Sequence, residues 1–416
     1  MVNHNTGLRE LCYIAKVNEI KPIEGRDRVE AAVVGGWETM VPKGAFNVGD
    51  LGIYFEIDSL VPETHPFEFL AARHYKIKIQ KFKTPSGHFY SQGLMLPVSE
   101  FGWTYDKEKD RVVTDKGVVY AFNDFLTETL GVTYADALDR KRKSSDKGVD
   151  KYQKMAQKMG KLFAKQPFRW LMKRQWGKAL LYAIFGKVVV TNNHTWPVGK
   201  FEGVSKTDQE RIENMPWVLQ DKGAFRRTEK CDGSSGTFIL EKKPFGKYEF
   251  YVCSRNVRMK NKEQECYYGT RNIYWEVAEY YNIEEKMKKW LNENPERKWV
   301  CWQGEICGPD IQKNPHKLDN LHFYCFHWTD NVSGRLDILD ARARWDGLFM
   351  ETVPIVDEEY ILPDTEDEMK VSADGFYSPS VCEGHKDCPR EGYVYYKVDD
   401  PTFSFKNVSR EYLLKH

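Results

Sequence analysis

Thr228-Glu229-Lys230-Cys231-Asp232-Gly233-Ser234-Ser235-Gly236 is the most informative stretch of this 416-residue chain. A lysine stands just before an Asp-Gly pair, and the residues from Ser235 to Lys242 beyond it read as a strand. Pro244-Phe245-Gly246 turns the chain into a second strand, Tyr248 to Cys253. An amine at such a strand edge can attack the α-phosphate of a nucleotide and form a phosphoramidate. It must first lose its proton, which a nearby cation or metal favours. The Asp-Gly pair is expected to form a tight turn that lets backbone approach the nucleotide. A surface turn after a lysine satisfies so short a motif equally well, so its weight rests on companion motifs elsewhere in the chain.

Five such stretches come after it in order. Ser254-Arg255-Asn256 ends the second strand, where a guanidinium can hold ribose or phosphate. Gln303-Gly304-Glu305-Ile306-Cys307-Gly308 comes after a strand from Trp299 to Trp302, boxing Glu305 between glycines at a strand end. The strand His322 to His327 places Tyr324 and Phe326 on one face. Either ring could stack on adenine or simply fill the core. Glu391 opens the strand Gly392 to Lys397, a position suited to a Mg²⁺ shared with phosphates. Lys406, in Ser404-Phe405-Lys406, can neutralise a phosphate.

As an ordered set these stretches resemble the covalent nucleotidyltransferases, which include polynucleotide ligases and capping enzymes. The chain resembles more closely the nick-sealing RNA ligases of the Deinococcus type. Thr228 to Ser235, Ser254 to Asn256, Gly308-Pro-x-Ile-Gln-x-Asn314 and the ending Phe403 to Lys415 carry that likeness. The resemblance implies that Lys230 is adenylylated by ATP, with Glu229, Asp232 and Gly233 beside the nucleotide. It gives ribose contacts to Arg255 and Glu305, adenine stacking to Phe326, and an α-phosphate contact to Lys406. Glu391, with Glu305, would serve Mg²⁺ or Mn²⁺. Related ligases have a second lysine where this chain has Ser404, so only Lys406 is carried over. The implied reaction seals RNA 3′-hydroxyl and 5′-phosphate ends, with a nicked RNA duplex as partner.

Towards the N-terminus, residues 7 to about 125 read as short strands at close spacing: Val29 to Val34, Trp37 to Val41, and Asp50 to Ile57 with Leu51, Ile53, Phe55 and Ile57 apolar. A five-stranded OB barrel fits that length. It is also what the resemblance implies, notably from Val48 to Asp58 and Ser91 to Pro97. Between Arg140 and Lys187 stand fifteen Lys or Arg against only Asp146 and Asp150, although the whole chain is +1. Apolar residues recur there at helical spacing, and Pro167 should divide two helices. The segment is a basic connector or a polyanion contact. The expected class is α+β: an OB-type barrel over 1–125, a basic helical linker over 126–189, and a nucleotidyltransferase domain over 190–416 with antiparallel sheets and flanking helices. Within that domain a helix is expected from Ser205 to about Gln220 and another from Thr270 to Glu293.

No run of eighteen apolar residues is present, and the N-terminus lacks the order of a signal peptide. Nine scattered cysteines suggest reduced thiols in a cytosolic protein rather than a disulfide framework, and the enzyme is expected to be an intracellular monomer. Cys382, His385 and Cys388 could be soft metal ligands but lack an evident fourth. Two rivals remain open. One is another nucleotidyltransferase, a DNA ligase or a GTP-using capping enzyme. The other is a nucleic-acid-binding protein with a decayed catalytic domain, against which stands the occupation of every charged motif position.

Overall fold

The computed structural model describes residues 1, 9–134, 199–255, 257–259, 261–263 and 271–415. The basic segment expected to be a helical linker lies outside the described residues. Residues 1–134 and 196–416 belong to one unit.

In the N-terminal part, strand Cys12–Lys16 pairs antiparallel with Leu51–Phe55, which pairs with Leu94–Leu96. A second sheet holds Glu19–Pro22, Val29–Val34 and Trp37–Pro42. The central strands are buried on both faces. Cys12, Ile14, Leu51, Ile53 and Phe55 enter one apolar cluster, while Tyr13, Ala15 and Tyr54 enter another. The period of two in the sequence therefore separates two cores rather than core from solvent. Ile57, expected to follow Leu51, Ile53 and Phe55, joins the second cluster.

The C-terminal part is built on two sheets. One runs Arg258–Met259, Tyr248–Ser254, Ser234–Lys242, Trp299–Cys307, His322–Asp330, Gly334–Arg335, all antiparallel. The other runs Glu210–Arg211, Ser404–Val408, Gly392–Lys397, Ala224–Glu229, Ile355–Ile361, with its first pair parallel. Strand Ala224–Glu229 lies in one sheet and Ser234–Lys242 in the other, so Lys230 to Gly233 is the crossing between them.

Three expectations need correction. The stretch from Ser205 to Gln220 is not one helix. It holds the short strand Glu210–Arg211 and two 3₁₀ turns, Ile212–Asn214 and Pro216–Gln220. Pro216 removes a helical donor and crowds the preceding turn, so a continuous helix cannot pass it. The Thr270 to Glu293 helix is two helices, Ile273–Tyr280 and Ile283–Glu293, broken at Asn282, whose φ is 50°. The break lets Ile273, Val277, Ile283, Met287 and Leu291 all reach one core under the larger sheet, while Tyr280 is left exposed. Strand Trp299–Cys307 continues past Trp302, with a register shift at Gln303 and Gly304. Glu305 is therefore inside a strand, not at its end.

Candidate active site

The crossing from one sheet to the other brings the separated motifs together. Thr228, Val394 and Lys406 are in register across the smaller sheet. Phe225, Tyr395 and Phe405 fill the core behind it. Glu305 and Phe326 come from adjacent strands of the larger sheet. Thr207, Gln209, Thr228, Glu229, Lys230, Glu305, Phe326, Val394 and Tyr396 line one cleft, with about 390 Å³ of empty space partly open to solvent.

Lys230 Nζ donates to Glu391 Oε2 at 2.8 Å. Burial favours the neutral amine, but Glu391 and then Glu305 outweigh it, so the ammonium is held above its ordinary range. Around this one lysine stand three acids. Burial raises Glu305 to about 8, with Lys230 opposing and Glu391 adding to the rise. Burial and Glu391 raise Asp232 to about 7. The pocket holds more carboxyl groups than its lysine can neutralise, a donor set of hard oxygens that fits a divalent cation. Among the described residues no three acidic, imidazole or thiol groups converge closely enough to chelate an ion alone. An ion held by Glu391 and Glu305 would complete its shell with ligand oxygens and water.

Lys406 is buried and its pKa falls to about 8, with burial the larger cause and Asp208 opposing it. Its Nζ donates to Asp208 Oδ1 at 2.8 Å, and Arg255 pairs with the other oxygen of the same carboxylate. Arg255 is thus brought to Lys406 through Asp208, not to Lys230 directly. Phe326 lines the cleft and packs on the cluster that contains Tyr324, which is buried behind it. Both rings belong to one apolar cluster despite the register shift beside Phe326, and of the two only Phe326 lines the cleft.

Two of the positions named from sequence act differently from the simplest reading. Glu229 borders the cleft, yet its carboxylate accepts from Ser378 N at 2.9 Å and Ser378 Oγ at 3.0 Å. It braces the crossing. Gly233 does not supply a left-handed turn. A side chain there would put Cβ 2.3 Å from the Ile306 carbonyl oxygen, so the glycine is required by close approach to strand Trp299–Cys307.

Sequence reasoning missed three side chains. His316 Nε2 accepts from Asp232 N at 3.1 Å and its Nδ1 donates to Val381 O at 3.1 Å. Burial lowers its pKa to about 4, so the ring is neutral and fixes the crossing's backbone. A signal stood beside it: the Gly308 to Asn314 stretch, singled out from sequence, ends two residues before it. Tyr412 donates to Asp232. Asp208 lay in Ser205-Lys-Thr-Asp, at the start of the stretch expected to be a helix. The possible soft-metal trio does not assemble: Cys382 and Cys388 are buried, His385 is exposed, and both nitrogens of the nearby His316 are engaged.

Residues 11–98 match an OB-fold domain model and residues 224–410 match the RNA ligase family model. No curated protein matches the chain. Solved structures of Naegleria gruberi RNA ligase do. A variant with ATP and Mn is 26% identical, covering 98% of this chain and 99% of that one, with a TM-score of 0.67. A variant with AMP and Mn has 26% identity, the same coverage and a TM-score of 0.64. The enzyme with PPi has 27% identity, again the same coverage, and a TM-score of 0.65. The OB-type strands at the front, the two-sheet cleft around Lys230 and these matches agree on one make-up, an OB-fold domain followed by a domain of the RNA ligase family, as in an OB-fold RNA ligase.

Proposed function

We propose that this ligase uses ATP to seal RNA 3′-hydroxyl and 5′-phosphate ends, at nicks in duplexes, through a lysyl-AMP intermediate on Lys230. The observation that carries the reading is Lys230 on the crossing between two sheets, 2.8 Å from Glu391, with Glu305 and Phe326 lining the same cleft and Lys406 in register with Val394 on its wall. The Naegleria gruberi ligase with ATP and Mn, at 26% identity over nearly the whole chain, supports ATP and a divalent cation as its requirements.

Lys230 Nζ forms a bond to the α-phosphorus, the bond from that phosphorus to the bridging oxygen breaks, and pyrophosphate leaves. The amine gives up its proton first. Glu391 holds the ammonium in line until then, and its charge is also what keeps the proton on. A divalent cation on Glu391 and Glu305 would supply charge that draws Glu391 away from the ammonium and favours the free amine. Phe326 holds the adenine by stacking, Arg255 and Glu305 the ribose, and Lys406 the α-phosphate. The AMP then passes from Lys230 to the RNA 5′-phosphate. Attack by the 3′-hydroxyl on that activated phosphate joins the strands and expels AMP. The N-terminal OB domain, residues 1–125, holds the RNA duplex, leaving nucleotide chemistry to residues 190–416.

The test is incubation with ATP labelled at the α-phosphate. The protein should take up label through a bond that is labile to acid and stable to alkali, and Lys230→Ala should take up none and seal no nicks. Labelling by GTP instead would favour a capping enzyme. Label on Lys230→Ala would place the nucleophile elsewhere.

A further inference from the structure

We infer that Asp208 is a resident anion standing where a phosphate of the incoming nucleotide is to bind, and that nucleotide binding has to displace it. The inference rests on the nucleotide-site reading of the cleft. Asp208 lies between Lys406 and Arg255, pairing with one through each carboxylate oxygen. Its side chain is only 7% exposed, and that of Lys406 only 10%. Burial by itself would raise its carboxyl, but Lys406, Arg255 and, further off, Arg9 outweigh it and hold the group far below the usual range. Asp208 is therefore an anion throughout the working range of pH.

One carboxylate bridging a lysine and an arginine stands where an anion would sit between them, and Lys406, which is to hold the α-phosphate, is one of its two partners. A phosphate brought to Lys406 in the present arrangement would meet like charge at close quarters in a poorly hydrated site, where repulsion is strong. Both anions cannot hold the same donors. Whereas Lys406 is held inside a strand, Asp208 belongs to neither sheet and precedes strand Glu210–Arg211 in an irregular stretch. Its neighbours Thr207 and Gln209 both line the cleft beside Lys230. Displacing Asp208 therefore also shifts two walls of the nucleotide pocket.

The consequence is selectivity. A small anion gains only the two cations and must expel Asp208 to reach them. A nucleotide adds base and ribose contacts from the same cleft, and these drive the displacement. Asp208 thus keeps inorganic phosphates off the cations while admitting the nucleotide, acting through Lys406 and Arg255 as a positioning residue.

Asp208→Asn keeps the size and removes the charge. Two measurements read the effect: the melting-temperature shift produced by inorganic pyrophosphate without metal, and the ATP concentration that half-saturates labelling of Lys230. The variant should be stabilised by pyrophosphate at concentrations that leave the wild type unmoved. Its half-saturating ATP should fall severalfold, with the maximal labelling rate changed less. Asp208→Ala should behave alike, with its unliganded melting curve showing that it folds. A raised ATP requirement, or a pyrophosphate response equal to that of the wild type, would mean that Asp208 merely braces the two cations, and would overturn the inference. A wild type that takes no label from ATP would sink the ligase reading instead, while the pyrophosphate comparison would still test Asp208.

Discussion

Glu305 and Asp232 hold protons near neutrality because burial and the Glu391 charge disfavour a second and third carboxylate beside Lys230. For Glu305 the consequence for stability has a definite sign. Its folded pKa, about 8, lies above its ordinary value of 4.5. Between those values the folded protein keeps a proton that the unfolded chain releases. Its contribution to stability is complete below the lower value and is lost as pH rises through the upper one. Glu305→Gln should therefore melt a few degrees above the wild type at pH 8.5 and lose that advantage towards pH 5, in protein without nucleotide or metal. A difference that does not vary with pH would show that Glu305 is not protonated in the folded state. Phe326 allows a second prediction at this scale. If it stacks on adenine, Phe326→Ala should raise the ATP concentration needed for Lys230 labelling roughly tenfold, the equivalent of about 1.4 kcal/mol, and Phe326→Leu should recover part of it. An unchanged ATP requirement would move the base contact to another residue.

Among the elements, strand Gly392–Lys397 carries the tightest backbone approach to the site. Gly392 has φ of 151°, and a Cβ there would lie 2.1 Å from the Asn407 carbonyl oxygen. Its own carbonyl accepts from Lys230 N at 3.0 Å. Gly392→Ala should thus separate this strand from Ser404–Val408, displacing Glu391 and Lys406 together. Labelling should fall at least a hundredfold, and the melting temperature should fall with it; near-normal labelling would show that the two strands tolerate the wider spacing. Strand boundaries in this region were legible because Tyr393, Val394, Tyr395 and Tyr396 form an unbroken run of β-favouring residues. The helices were less so. Periodicity carried over Asn282 because both helices feed one core, and nothing local marks an asparagine that adopts left-handed backbone. Ser205 to Asp208 has the composition of a cap, but whether a cap is used depends on the residues after it, and Pro216 with a partner strand at Ser404–Val408 decided otherwise.

For the whole molecule, the two halves share buried polar contacts as well as apolar ones. Asn214 accepts from Trp37 Nε1 at 2.5 Å and donates to Glu56 Oε1 and to Glu210 Oε1, each at 2.7 Å. Gln92 Nε2 donates to Glu213 Oε1 at 3.1 Å, and Gly36 N donates to Glu213 O at 2.6 Å. Leu413 and Leu414, from the closing helix, pack on the N-terminal core. Removing the Asn214 amide leaves the buried Trp37 N–H without its acceptor and takes one donor from Glu56, which keeps Arg9 and the N-terminal ammonium, a loss of roughly 1–3 kcal/mol. Asn214→Ala should therefore lower the melting temperature by several degrees and impair sealing more than Lys230 labelling; equal losses in both would argue that the N-terminal half contributes to the nucleotide step as well. The sequence allowed the two halves to be told apart, since short β-rich segments and the Lys230 motif set are each local patterns. Their contact was not legible. Asn214 and Glu213 are unremarkable polar residues until the fold places them against Trp37 and Gln92, and the 158 positions between Glu56 and Asn214 carry no trace of the pairing.

That separation has a meaning in time. A ribosome adding about 5–20 residues per second needs roughly 8–30 seconds to pass from Glu56 to Asn214. Through that interval the nascent N-terminal barrel can close its own strands, yet Glu56 and Trp37 lack the amide that will later engage them. The surface around Glu56 and Trp37 is thus without its partner through that interval, and Lys81 and Tyr90, which pair with Glu411, wait longer still. Slowing translation between the two positions should lengthen its susceptibility to proteolysis there, whereas supplying residues 199–415 as a separate polypeptide should shorten it.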